Sequence, residues 1–172
     1  MELHAILEHR KKAGYATPSF IKWVNTSAEE DVKKFFINEI RFYNEIESAP
    51  ILAKQINARS PEIRSEIIRA LGTLKYKEIE PKLFEMYNTQ PEDVKQNIIA
   101  AVLELGTGNA VDFLKNAYEE ADNWSTKRSI LKALYGYNEA GRQMFDVLET
   151  QANAHTAILF AHTKDLLINQ IS

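Results

Sequence analysis

The chain has 172 residues, 26% of them charged and 45% hydrophobic, with a net charge of −3. That is the profile of an ordinary globular domain, long enough to bury about 70% of its unfolded surface. The charge balance argues against nucleic acid, which asks for a basic face, and the absence of cysteine excludes disulfides, thiolate metal sites and cysteine nucleophiles.

No run approaches the roughly 18 uninterrupted apolar residues of a membrane helix. The opening Met1-Glu2-Leu3-His4-Ala5-Ile6-Leu7 has no basic stretch leading into an apolar one, so no secretion signal is expected. Leu3, Ile6 and Leu7 predict a turn or two of helix before the basic His9-Arg10-Lys11-Lys12. Thr17 followed by Pro18 predicts a helix start, cap then proline, and Phe20, Ile21, Trp23 and Val24 make that helix apolar. Residues 1–27 therefore read as capping and linker helices over the open end of a stack formed by the rest of the chain. The competing reading is a juxtamembrane segment with its basic cluster facing lipid head groups.

Ser27-Ala28-Glu29-Glu30 has the form of a capping box and opens a helix carrying Val32, Phe35, Phe36, Ile37, Ile40 and Tyr43 to about Glu45. A break at Glu47-Ser48 leads into Ala49-Pro50-Ile51-Leu52. The next segment, Pro61 to Gln90, has the clearest pattern. Ile63, Ile67, Ile68, Ala70, Leu71 and Leu74 mark one face of a first helix, and Ile79, Leu83, Met86 and Tyr87 mark one face of a second.

Shifting this pattern back by 31 residues puts Val32 on Ile63, Ile40 on Leu71 and Pro50 on Pro81. Shifting it forward by 31 puts Val94 on Ile63, Ile98-Ile99 on Ile67-Ile68, Val102 on Leu71 and Leu114 on Leu83. A further shift of 32 reaches Ile130-Leu131 and Leu134, followed by a helix holding Met144, Phe145, Val147 and Leu148. Two short helices with one apolar face each need neighbours stacked on them. The expected organisation is thus residues 1–27 as a cap, and four two-helix repeats over 28–151 (28–58, 59–90, 91–123 and 124–152). A closing helix occupies 153–172.

Chemistry-bearing motifs are scarce. Gly106-Thr107-Gly108 lacks the Lys-Ser or Lys-Thr of a phosphate loop and the third glycine of a dinucleotide fingerprint, so it reads as a helix C-cap and turn. His155, His162 and Asp165 share a helix face that could seat a metal, but His162 falls within an apolar helix and is expected to bond a neighbour. His4 and His9 lie off a common face. Glu62, Glu66 and Glu80 read as members of solvated helix faces. Asn25-Thr26-Ser27 and Asn123-Trp124-Ser125 read as chance glycosylation patterns. No catalytic residue, metal ligand or cofactor is expected. From Pro91 to Asn123 two bases, Lys95 and Lys115, stand against seven acids, a patch that would attract a basic partner segment.

The repeat of about 31 residues resembles the HEAT-type repeats of the α-solenoid superfamily. Its marks are Ile63-Arg64 early in the first helix, Ala70-Leu71-Gly72-Thr73-Leu74 closing it, and Pro81 with Leu83 in the second. The resemblance implies an all-α fold, a right-handed superhelix with unlike helices capping both ends, acting as a non-catalytic scaffold for a partner protein or peptide. In such arrays the second helices line the concave face, and the outward positions of those helices include Lys54, Lys82, Glu85, Asp112, Lys115, Glu119, Arg142 and Asp146. Tyr87 and Tyr118 lie nearby as anchors or as inter-repeat core. The aspartate frequent in the inter-helix turn is missing: Lys75-Tyr76-Lys77 and Thr107-Gly108-Asn109 stand there.

Two other functions are compatible with the resemblance. One is a HEAT-like nucleic-acid-binding or base-excision enzyme, which would need a basic, aromatic concave face; the other is a regulatory subunit of an enzyme, like the HEAT-like lyase subunits that handle chromophores. The expected location is the cytoplasm, as a free protein or as the cytoplasmic part of a membrane-linked one.

Overall fold

A computed structural model describes residues 20–168. Among them are ten α-helices and no strand. In chain order these are α1 (Ile21–Thr26), α2 (Glu30–Phe42), α3 (Ala49–Ala53), α4 (Pro61–Thr73) and α5 (Glu80–Tyr87). They are followed by α6 (Glu92–Leu105), α7 (Ala110–Glu120), α8 (Trp124–Tyr137), α9 (Glu139–Thr150) and α10 (Ala154–Ile168). Short 3₁₀ turns at Ile46–Ser48 and Lys77–Ile79 lead into α3 and α5. The segment before Phe20, with its basic cluster, His4, His9 and the Thr17-Pro18 start, lies outside the described residues. Among the described residues no helix is long and apolar enough to cross a membrane.

Local chemistry sets the helix ends. Pro61 sits in the first turn of α4, where its missing N–H costs nothing, and the Ser60 hydroxyl accepts from the Ile63 amide. Asn123 and Asn138 cap α8 and α9 by accepting from the Thr126 and Gly141 amides at 2.8 and 2.9 Å. The capping box expected at Ser27 does not form. Helix α2 starts after Glu29 with no side-chain cap, and the Ser27 hydroxyl instead donates to the Trp23 carbonyl at 2.6 Å, closing α1. Ser27 is the C-cap of α1, two residues before the position from which α2 starts.

Where the first helices end, the backbone turns left-handed at Asn44 (φ 54°), Lys75 (φ 57°) and Gly106 (φ 66°). These three positions are 31 residues apart, so the turn recurs with the apolar pattern although its residue type does not. The fourth repeat breaks the series, since Asn138 is extended.

The apolar faces fuse into one core that runs from Phe20 to Phe160. Helices α2, α4, α6 and α8 pack on one another in that order, and α10 closes against α8. The tightest junction is between α4 and α6. A Cβ on Gly72 would lie 2.8 Å from the Ala101 Cα, so only glycine lets these backbones approach so closely. At one end α1 covers α2 through Phe20 and Trp23 against Phe36. At the other, Phe160 packs edge-on to Tyr118 and Phe145.

Candidate functional site

The second helices behave differently from the first. Helices α5 and α7 share few backbone contacts and meet through rings. Phe84 stacks on Phe113 with centroids 4.5 Å apart and planes 8° from parallel, and Tyr87 meets Phe113 edge-on at 5.2 Å. Above these rings the gap opens into a groove of about 380 Å³, within the size range of ligand clefts.

Its α5 wall is Phe84, Tyr87 and Asn88. On α7 it is Asn109, Asp112, Phe113, Asn116, Ala117 and Glu120, positions three or four apart that form one stripe on the helix. The floor is aromatic, and the rim carries amides and two carboxylates with no basic residue. Its two ends are braced. Asn88 donates to the Glu120 carboxylate at 2.7 Å, while Asn109 donates at 2.9 Å to Glu80, which also accepts from the Thr107 hydroxyl. Glu80 is 6% exposed; the helical pattern puts it on a solvated face, but the Thr107-Gly108-Asn109 turn covers it. This carboxylate-to-turn link ties the start of α5 to the turn that leads into α7. Between the braced ends, Asp112 and Asn116 are exposed and make no hydrogen bond or ion pair among the described residues.

Tyr87 reaches the same gap from beneath and is 4% exposed. Its hydroxyl is buried without a hydrogen-bond partner, and burial, followed by the nearby Glu92 and Glu120 charges, pushes its pKa up to about 12. The Lys95 ammonium lies 5.4 Å from the centre of its ring.

Of the eight outward positions read from the helical pattern, Asp112 alone lines this groove. Lys82 pairs with Glu85 at 2.9 Å and Lys115 with Glu119 at 2.7 Å, each within its own helix. Arg142 pairs with Glu139 at 3.2 Å, and Asp146 is exposed on α9. Lys54 is exposed at the C-cap of α3, just past the last helical residue. Tyr118 belongs to the core, under Lys127 and against Phe160. Phe84, Asn88, Asn109, Asn116 and Glu120 are groove residues that the helical pattern does not single out. The four-residue spacing from Asp112 is the signal that could have found Asn116 and Glu120.

Among the described residues no cluster of His, Asp and Glu could hold a metal. His155 packs edge-on against Trp124. His162 is exposed, beside a largely apolar recess between α8 and α10 that includes Trp124, 41% exposed, and Ile158, 61% exposed. The neighbour bond expected for His162 is absent among the described residues.

A family model for HEAT repeats matches residues 48–135, half of the chain. The chain belongs to the HEAT-repeat family. The matched HEAT segment runs from the turn before α3 into α8 and contains every residue of the α5–α7 groove. No curated protein matches the chain. HEAT arrays generally mediate contacts between proteins, and a continuous core that leaves polar and aromatic side chains on the second helices suits that role.

Proposed function

We propose that this HEAT array is a non-catalytic protein-binding module that docks a basic segment of a partner on the face presented by its second helices. The observation that carries the reading is the α5–α7 groove: an aromatic floor, amides and carboxylates on the rim, and an exposed Asp112 with no ion-pair partner among the described residues. Aromatic floors supply contact area and unpaired acids supply charge complementarity. The first helices, not the second, make the tight backbone junction here, so the recess is a gap between two helices more than a continuous concave wall. Partner side chains would insert into it.

The nucleic-acid reading finds no support in this groove, because two carboxylates would face the phosphates. A catalytic reading finds no nucleophile beside a base on its rim, and the one titratable hydroxyl, Tyr87, is shifted away from neutral pH.

The test is affinity capture with the parent chain beside a variant carrying Asp112→Arg and Asn116→Lys. Both positions are exposed, so circular dichroism and melting should be unchanged. A specific protein retained by the parent and lost by the folded variant supports the reading. Identical captures from the two chains would remove the second-helix face from consideration. A mobility shift on duplex DNA, with salt dependence, would favour the nucleic-acid alternative.

A further inference from the structure

The α5–α7 groove has a spacing that selects among basic segments, and this inference rests on the protein-binding reading above. Asp112, Asn116 and Glu120 succeed one another four residues apart along α7, which at 1.5 Å per residue is about 6 Å per step. An extended chain advances about 6.6 Å for every two residues and turns alternate side chains to the same face. The two repeats are commensurate over this length. An extended segment lying along α7 can therefore place one side chain at Asp112 and another, four residues on, at Glu120, with residue i+2 over Asn116, where a glycine or serine leaves the adjoining peptide groups within its reach. Asparagine carries both a donor and an acceptor, which is what a peptide group needs.

The identity of the two side chains is set by the surroundings of the acids. Asp112 has no ion-pair partner among the described residues, and Glu120 accepts from Asn88 at one oxygen and keeps lone pairs free. Phe84 lines the same groove, half-buried, with one face stacked on Phe113. A planar guanidinium can lie on such a ring and still present a fork of donors to a carboxylate, whereas an ammonium is a more strongly hydrated point charge. The rings of Phe84, Tyr87 and Phe113 beneath the acids add apolar contact area to the charge complementarity.

We infer that the α5–α7 groove binds an extended peptide segment bearing two arginines four residues apart, one at Asp112 and one at Glu120.

The experiment uses the whole chain and four acetylated, amidated decapeptides in a Gly/Ser background: arginines at i and i+4, arginines at i and i+3, lysines at i and i+4, and glutamates at i and i+4. Binding is followed by calorimetry and by the NMR signals of the Asn88, Asn109 and Asn116 side-chain amides. The i, i+4 arginine peptide should move the Asn116 amide and bind about tenfold more weakly to Asp112→Asn, the loss expected of one charge-assisted pair. It should also outbind the i, i+3 and lysine peptides. Asp112→Asn keeps the side-chain shape, and an unchanged melting curve shows that it folds.

No movement of any groove amide at millimolar peptide overturns the inference, as does equal binding of the glutamate peptide or indifference to the arginine spacing. If the arginine peptide binds and shifts only residues near Lys54 or near Arg142 and Asp146, the groove assignment falls while the protein-binding reading stands. If a partner is captured in the earlier experiment through Asp112 and yet no arginine peptide reaches the groove, the occupant is misassigned and the site is kept.

Discussion

Phe84 and Phe113 stack face to face across the gap between α5 and α7, 4.5 Å apart and nearly parallel. Where α4 and α6 join through backbone at Gly72, these second helices join through two rings. Offset stacking adds to the burial of both rings, so the pair is both a structural clasp and the floor of the groove. A double-mutant cycle with Phe84→Leu and Phe113→Leu should give a coupling of about 0.5–1.5 kcal/mol in urea unfolding. Phe113→Ala alone should cost about 3 kcal/mol. Strict additivity would show that the rings merely lie near one another.

At the α4–α6 junction the chain has no room for a methyl group. Gly72→Ala should destabilise by about 1–3 kcal/mol, because the nearest obstacle is the Ala101 backbone and not the end of a flexible side chain. A gain in stability, which helix propensity alone would favour, would show that the two helices separate at little cost.

The left-handed turn gives a pair of opposite expectations. Gly106→Ala forces a Cβ into the left-handed region and should cost about 1 kcal/mol. Lys75→Gly relieves the same strain one repeat earlier and should gain up to about 1 kcal/mol, less whatever is lost with the bond from the Lys75 ammonium to the Glu104 carbonyl. Chemical denaturation of the two variants beside the parent measures both.

Tyr87 makes stability depend on alkaline pH. The unfolded chain ionises near the ordinary tyrosine value of about 10, and the folded chain at about 12. Above pH ~10 the unfolded form therefore binds fewer protons, so stability falls as pH rises. The contribution of Tyr87 is whole below the unfolded value and is lost on the way to 12. Tyr87→Phe should flatten that fall and, having removed a hydroxyl with no partner, change neutral-pH stability by less than about 1 kcal/mol. Unfolding curves from neutral to alkaline pH, with tyrosinate absorbance as the local readout, test it.

Much of the fold is legible in the residues because burial in a stacked array tracks the apolar period. Ile63, Ile67, Ile68 and Leu71, and their counterparts Val94, Ile98, Ile99 and Val102, are all buried. Three things are hidden, each for its own reason. Ser27 could serve either of two adjacent helices, and only the geometry of the junction assigns it to α1. The recurring left-handed position carries asparagine, lysine and glycine, so residue type announces it strongly at Gly106, weakly at Asn44 and not at all at Lys75. The groove depends on how far apart two helices stand, which is set by Gly72 in one layer and by Phe84 and Phe113 in the other. Helical periodicity finds the outward face of each helix, but it contains no information about the width between them. That is why it picks out Asp112 and passes over Asn88, Asn116 and Glu120.

The Gly72–Ala101 contact also has a mechanical meaning. A seam of touching backbones resists both sliding and parting, because close-packed groups cannot give gradually. The opposite edge is held by side chains that can rotate. Neighbouring repeats joined in this way behave like the leaves of a book: the spine runs along α4 and α6, and the free edge is the α5–α7 gap. Bending of the array should therefore be easiest at that side-chain-held edge, where anything lodged would act as a wedge that sets its angle.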